Sequence, residues 1–327
     1  MKKLLLLLPV ILSAFLMISC MSCSKDGGDG TENGGELIIE PQPEMNLLDL
    51  FYSLVAEQKE TGTRSKVFVV AHRANTWEGT QKNVPDNSIP AIELAIRHGA
   101  DMVELDVRTT KDGVFVMTHD ADIAHFTNGS GNVADMTYEQ ICQYDMQKNG
   151  VVYKDADGNS IKVPTLAQAL AACKDRIYVN IDTKDINARL LVDAIKEAGM
   201  RDQVMIYTGD RSFAESCQKA DINVAVHPYV YSADDVDSYR KGGMTGAVLF
   251  QYGNTCIYGD NPADPEIGRK IRAKGFLSYT NLLGQYDNAM LNGDFGYVRQ
   301  FVDSESDFVQ TDYCEKVIEY LELVELR

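Results

Sequence analysis

The chain has 327 residues, 45% of them apolar and 24% charged, enough to bury a sizeable core as one large domain or two ordinary ones. Its 48 acidic residues outnumber the 31 basic ones, and the net charge of −17 repels nucleic acid at long range, so no nucleic-acid partner is expected. A phosphate-bearing ligand would need local positive charge, from a metal ion or a few placed cations.

Residues 1–19 join a short basic start (Lys2, Lys3) to an apolar run of secretory-signal length, shorter than a spanning helix needs. The run ends in ISCMSCSKDGG, which resembles the lipidation signal of bacterial lipoproteins. Cys20 is the expected lipidation site and Cys23 the alternative; the implied location is the bacterial cell envelope, lipid-anchored, periplasmic or surface-exposed. Residues 20–44 are rich in Gly, Glu, Asp and Pro, too polar to offset the entropy of ordering, and read as a flexible tether. Cys142, Cys173, Cys217, Cys256 and Cys314 are scattered singly and read as mostly buried thiols, not a disulfide framework.

Residues 45–65 read as a helix and linker, with Leu47, Leu48, Phe51, Leu54 and Val55 at helical spacing to pack against a main domain over 66–327. That domain alternates short apolar runs with amphipathic segments. Strands are expected over 67–72, 102–108, 177–183, 203–208, 223–228, 247–251, 276–280 and 308–311. Eight strands alternating with helices over about 260 residues match the rhythm of a (β/α)8 barrel, the TIM-barrel architecture. A doubly wound open sheet is the alternative. The long interruption at about 120–164 contains Asp157-Gly158 between alternating residues, which reads as a hairpin turn. DADGNS imitates the start of a calcium-binding loop, but Leu166 stands where such a loop needs Glu.

Barrel active sites are built at the C-terminal ends of the strands. The first expected strand ends in His72 and Arg73. The second carries Glu104 and Asp106, two residues apart and so on one side of the strand; VFVMTHD ends in His119-Asp120; the next strand ends in Asp182 and Lys184, again spaced by two. Three carboxylates converging on one mouth repel unless protonated or neutralised, and hard divalent ions take oxygen ligands, so Glu104, Asp106 and Asp182 read as a site for one divalent cation, Mg2+ or Ca2+. His72 and His119 suit an acid/base couple for phosphoryl displacement. Arg73 offers a fork of donors for a phosphate and Lys184 a point charge. Trp77, the only tryptophan, lies just past the His-Arg pair and reads equally as a cover for the substrate's alcohol part or as packing for its loop.

The order of these motifs, AHRANT, then VPDNS, then HGADMVELDV, KDG and THD, is similar to the signature of the glycerophosphodiester phosphodiesterase family. VPTLAQAL, NIDTK and VQTDYCE extend the resemblance to about residue 315. It implies a TIM barrel that hydrolyses glycerophosphodiesters to glycerol phosphate and an alcohol, a divalent metal near Glu104, Asp106 and Asp182, His72 and His119 as the catalytic pair, and Arg73 and Lys184 on the phosphate. Against the family pattern, Ala74 replaces a usual Gly, Asp86 and Asp182 replace Glu, and Cys314 replaces Pro. Tyr279 stands near the place of a frequent Trp and is an expected substrate contact on that basis. Two alternatives remain at this stage: a phospholipase C-like or lyase enzyme releasing a cyclic phosphate, and a catalytically silent phosphodiester-binding lipoprotein.

Overall fold

Strands form where β-branched and apolar runs are bounded by Gly, Asp and Asn. In the computed structural model, which describes residues 46–253, 264–303 and 305–327, these are β1 (Phe68–Ala71), β2 (Met102–Thr109), β3 (Phe115–Met117), β4 (Gln147–Lys148), β5 (Val151–Val152), β6 (Tyr178–Thr183), β7 (Val204–Thr208), β8 (Ala225–Pro228), β9 (Leu249–Gln251), β10 (Leu277–Leu282) and β11 (Phe308–Thr311). The expected leader and tether, Cys20, Cys23 and Cys256 lie outside the described residues.

Eight strands run in the order β8-β7-β6-β2-β1-β11-β10-β9, all parallel. The ends of this series meet: Val226 N–H donates to Gly246 O at 3.0 Å, Val230 N–H to Gln251 O at 2.8 Å, and Tyr229 bridges Gln251 in parallel. The sheet is therefore a nearly closed (β/α)8 barrel, and the open doubly wound alternative is excluded. Each of the eight expected strands is present, with ends within two residues of expectation.

Period-two alternation divides the strand residues between two cores. Val69, Ala71, Val103, Leu105, Val179 and Ile181 face the surrounding helices. Phe68, Val70, Met102, Tyr178, Met205, Leu277 and Phe308 form a second cluster within the barrel. The end where strands begin is plugged by helix α1 (Leu47–Thr61), whose Leu47, Phe51 and Val55 join that cluster, with the Phe51 ring edge-on to Phe308 at 5.6 Å. Asn46 caps the helix by accepting from Leu48 N–H, and Gly62 ends it in a left-handed conformation.

The segment between β3 and the helix Leu166–Cys173 has an apolar centre of its own, built on Val116, Ile123, Val133, Ile141, Met146 and Val163. The expected turn at Asp157-Gly158 is present and closes a single bridge between Lys154 and Ser160. The paired hairpin strands, however, are β4 and β5 just upstream, turned at Asn149-Gly150, both with positive φ (55° and 78°). Asp155 accepts from the N–H groups of Asp157 and Asn159, so its carboxylate serves the turn. Of the described cysteines, Cys173, Cys217 and Cys314 are buried thiols and Cys142 is partly buried.

Candidate active site

Inward-facing positions change character along each strand. On β2, Met102 is followed by Glu104 and Asp106, and on β6 Tyr178 by Asn180 and Asp182. On β1 the chain leaves the sheet at His72–Ala74, with Arg73 and Ala74 both in the left-handed region (φ 51° and 57°). That turn aims the Arg73 N–H at Glu104 Oε2, 2.8 Å away, and brings Arg73 Nε to 3.5 Å from Asp106 Oδ2. Asn87 N–H donates to Arg73 O at 2.9 Å and closes the loop, while the Asn87 amide grips Asp106: Nδ2 donates to Oδ2 at 3.0 Å and Oδ1 accepts from Asp106 N–H at 2.9 Å.

Glu104, Asp106 and Asp182 present carboxylate oxygens that all lie within 4.8 Å of one another. Lys184 Nζ stands 2.7 Å from Asp182 Oδ2 and 3.2 Å from Asp106 Oδ1. His119 follows β3, which pairs antiparallel with β2; Arg108 Nε donates to its carbonyl at 2.8 Å and fixes the backbone. Arg73 and His119 line a cavity of about 250 Å³ together with Asp86, His125, Phe126 and Lys148. His72 Nδ1 is 2.8 Å from Asp312 Oδ1, and its Nε2 points toward Glu104 at 4.0 Å. The seven residues expected to carry the chemistry converge at this mouth.

The charges there are unevenly matched. Burial, reinforced by Asp106 and Asp182, pushes Glu104 up to about 8. Burial also raises Asp182, against Lys184. Burial would raise Asp106 too, but Lys184 and Arg73 hold it below the usual carboxylate range. For His72, burial opposes the proton, yet the Asp312 carboxylate and Glu104 raise it to about 9. Burial keeps His119 below the ordinary imidazole value. The Arg73 Nε is buried without a hydrogen bond. Three clustered carboxylates, two buried and Asp182 partly so, with Arg73, Lys184 and His72 as the cations beside them, are a donor set that fits a hard divalent cation.

The sequence model of the glycerophosphoryl diester phosphodiesterase family matches residues 78–216, a span holding Glu104, Asp106, His119, Asp182 and Lys184. Over that span the chain is similar to the family. Within it, a glycerophosphodiester phosphodiesterase of Caldanaerobacter subterraneus subsp. tengcongensis is 37% identical over 149 residues, 43% of this chain and 57% of the relative. Human glycerophosphodiester phosphodiesterase 1 is 33% identical over 138 residues, 42% of this chain and 39% of the relative. The chain thus spans between about two fifths and three fifths of these relatives' lengths. Among solved structures, a glycerophosphoryl diester phosphodiesterase from Parabacteroides distasonis superposes with a TM-score of 0.66 at 21% identity, covering 80% of this chain and 88% of that one. A phosphodiesterase from Oleispira antarctica in complex with the product sn-glycerol-3-phosphate does so with a TM-score of 0.60 at 18% identity, covering 78% and 96%. Both likenesses match the barrel.

One expected contact falls elsewhere. Tyr279 is fully buried inside the barrel, its ring 4.2 Å from that of His227 and its hydroxyl donating to Gln310 Oε1, so it has no surface at the mouth; this corrects the expectation of a substrate contact. Trp77 opens the short helix Trp77–Gln81, is partly buried, and sets its ring edge-on to Tyr313 at 5.3 Å, beside Asp312. Asp312, Asp287, Asn87 and Lys148 escaped the sequence reading. Asp287 accepts from Thr311 Oγ1 at 2.6 Å and from Asp312 N–H at 3.1 Å, and so holds the carboxylate that holds His72. The signal for Asp312 was its parity with Phe308 and Gln310 at the end of the last strand.

Proposed function

We propose that the chain is a metal-dependent phosphoric diester hydrolase that cleaves glycerophosphodiesters to glycerol phosphate and an alcohol. The observation that carries this is the convergence of two imidazoles, Arg73, Lys184 and three carboxylates on one barrel mouth. The family match over residues 78–216 and the product bound to the Oleispira relative support the same substrate class. A divalent cation, Mg2+ or Ca2+, held by Glu104, Asp106 and Asp182 would supply Lewis acidity toward a phosphoryl oxygen. Arg73 and Lys184 orient the phosphate. His119, kept neutral by burial, takes the proton of the attacking oxygen as the new P–O bond forms. His72, kept protonated by the Asp312 carboxylate at Nδ1, gives its Nε2 proton to the departing alkoxide as the old P–O bond breaks. Asp312 also fixes the ring, so that Nε2 faces the reacting atoms.

The attacking oxygen belongs to water in this reading. Attack by a neighbouring hydroxyl of the substrate would release a cyclic phosphate. Phosphorus NMR of glycerophosphocholine, glycerophosphoethanolamine and glycerophosphoinositol with the soluble domain separates the outcomes. Glycerol phosphate as final product supports the hydrolase; an accumulating cyclic phosphate supports the lyase; no turnover with either ion supports a silent binder.

We further propose a lipid anchor at Cys20 or Cys23 in the bacterial envelope, with residues 20–44 as tether. Its support is the sequence of residues 1–23 alone. Metabolic labelling with a fatty acid, lost in a Cys20→Ser variant, tests it, and label retained there but lost in Cys23→Ser moves the site.

A further inference from the structure

The wall of the cavity facing Arg73 comes from the hairpin β4–β5, an element outside the barrel's own strand–helix repeat. Lys148 on β4 sends its Nζ across to the loop between β1 and the helix Ile89–Arg97. It donates to Asp86 Oδ1 at 2.7 Å and to Asn75 Oδ1 at 3.0 Å. At the hairpin's turn Asn149 Nδ2 donates to Asn83 Oδ1 at 3.2 Å, a second tie between the same two segments. An ammonium has three donors, so Lys148 keeps one beyond these two bonds, and Asp86 keeps an acceptor oxygen beyond Oδ1. Both side chains line the cavity that Arg73 and His119 line.

We propose that Lys148 and Asp86 are a specificity-determining pair that reads the hydroxyl groups of a small polyol esterified to the phosphate. This rests on the phosphodiesterase reading above. A phosphate on Arg73 places its ester substituent in the adjoining space, which at about 250 Å³ and with mostly polar lining suits a glycerol-sized polyol rather than an acyl chain. A hydroxyl both donates and accepts; the fixed ammonium–carboxylate couple offers one partner for each function. A site built to satisfy hydroxyls discriminates against analogues that lack them, because its own polar groups are then left unpaired.

The test is calorimetric binding of sn-glycerol 3-phosphate and of n-propyl phosphate, with Mg2+ present, to the wild type and to Lys148→Met and Asp86→Asn. Thermal melts check that each variant is folded. The wild type should prefer glycerol phosphate by at least about tenfold, and both variants should lose most of that preference while keeping their affinity for propyl phosphate. Equal binding of the two ligands by the wild type, or equal loss for both ligands in the variants, overturns the proposal and leaves the pair a structural strut. If Lys148→Met does not fold, the wild-type comparison and Asp86→Asn decide. Hydrolysis of glycerophosphocholine is measured on the same samples. Selective binding without turnover would defeat the phosphodiesterase reading and leave the polyol site standing; turnover without selectivity would do the reverse.

Discussion

The two ends of the barrel interior use buried charge in opposite ways. At the floor, Asp101 accepts from Val69 N–H at 2.8 Å and from Lys66 Nζ at 2.5 Å, and pairs with Arg327; Asp307 accepts from Ser278 N–H at 2.9 Å and from Gln58 Nε2 at 3.1 Å, with Arg272 at 3.6 Å. Each carboxylate ties two or more chain segments together around an apolar plug. At the mouth, three carboxylates crowd one another, Glu104 is driven up to about 8, and Arg73 keeps an unbonded Nε on a left-handed backbone. Satisfied charges at the floor serve the fold, whereas the unmet demand at the mouth is the physical mark of a site that binds something.

The largest effects should separate the two ends cleanly. His72→Ala and His119→Ala should each lower turnover by about 10²–10⁴-fold with melting temperatures close to the wild type's; near wild-type rates in either would remove that histidine from the mechanism. At the floor, Phe51→Ala should cost about 3–5 kcal/mol in denaturant titrations, leaving the turnover of the folded fraction unchanged. A fall in its turnover as large as that of the histidine variants would erase the distinction. Asp312→Asn, which keeps the shape but weakens the grip on His72, should reduce turnover by about 10–100-fold without unfolding.

Between the two ends lies His227, fully buried, with neither ring nitrogen hydrogen-bonded, and lowered by burial to about 3. Its folded value lies below the unfolded one, so the unfolded chain binds the extra proton. Stability should therefore fall as pH drops from about 6.5 toward 3, by up to about 1.4 kcal/mol per pH unit from this group. Chemical denaturation across that range should show the slope in the wild type and a shallower one in His227→Phe; equal slopes would mean that the ring is solvated. The smallest effect belongs to Ala74, at φ 57°. Ala74→Gly relieves about 1–2 kcal/mol of left-handed strain and gives back roughly 0.5–1 kcal/mol through the freer unfolded chain, so its net change should stay within about 1 kcal/mol.

The barrel was legible because parallel strands buried on both faces write continuous apolar runs that punctuation by Gly and Asp makes countable. The mouth was legible where polar residues interrupt those runs at period two, as Glu104 and Asp106 do on β2. Asp312 stands two residues beyond Gln310 at the end of β11 and looked like an ordinary strand end, because its partner His72 is 240 residues away and pairing at that distance leaves no local pattern. Lys148 was hidden for a related reason: the partners it reaches, Asp86 and Asn75, are 62 and 73 residues away, and its hairpin turn at Asn149-Gly150 competes with an equivalent signal at Asp157-Gly158. Tyr279 was misplaced because its inward position lies one layer below the mouth, a depth that strand periodicity alone does not measure.

The most direct test of the mouth as a metal-dependent hydrolytic centre is hydrolysis of glycerophosphocholine after EDTA treatment, with Mg2+ or Ca2+ then titrated back into wild type and Glu104→Gln. Rate lost with EDTA, restored by one of the ions in the wild type and only at much higher ion concentration in Glu104→Gln, is the predicted result. Full activity in the stripped protein, or the same ion requirement in both, would contradict it.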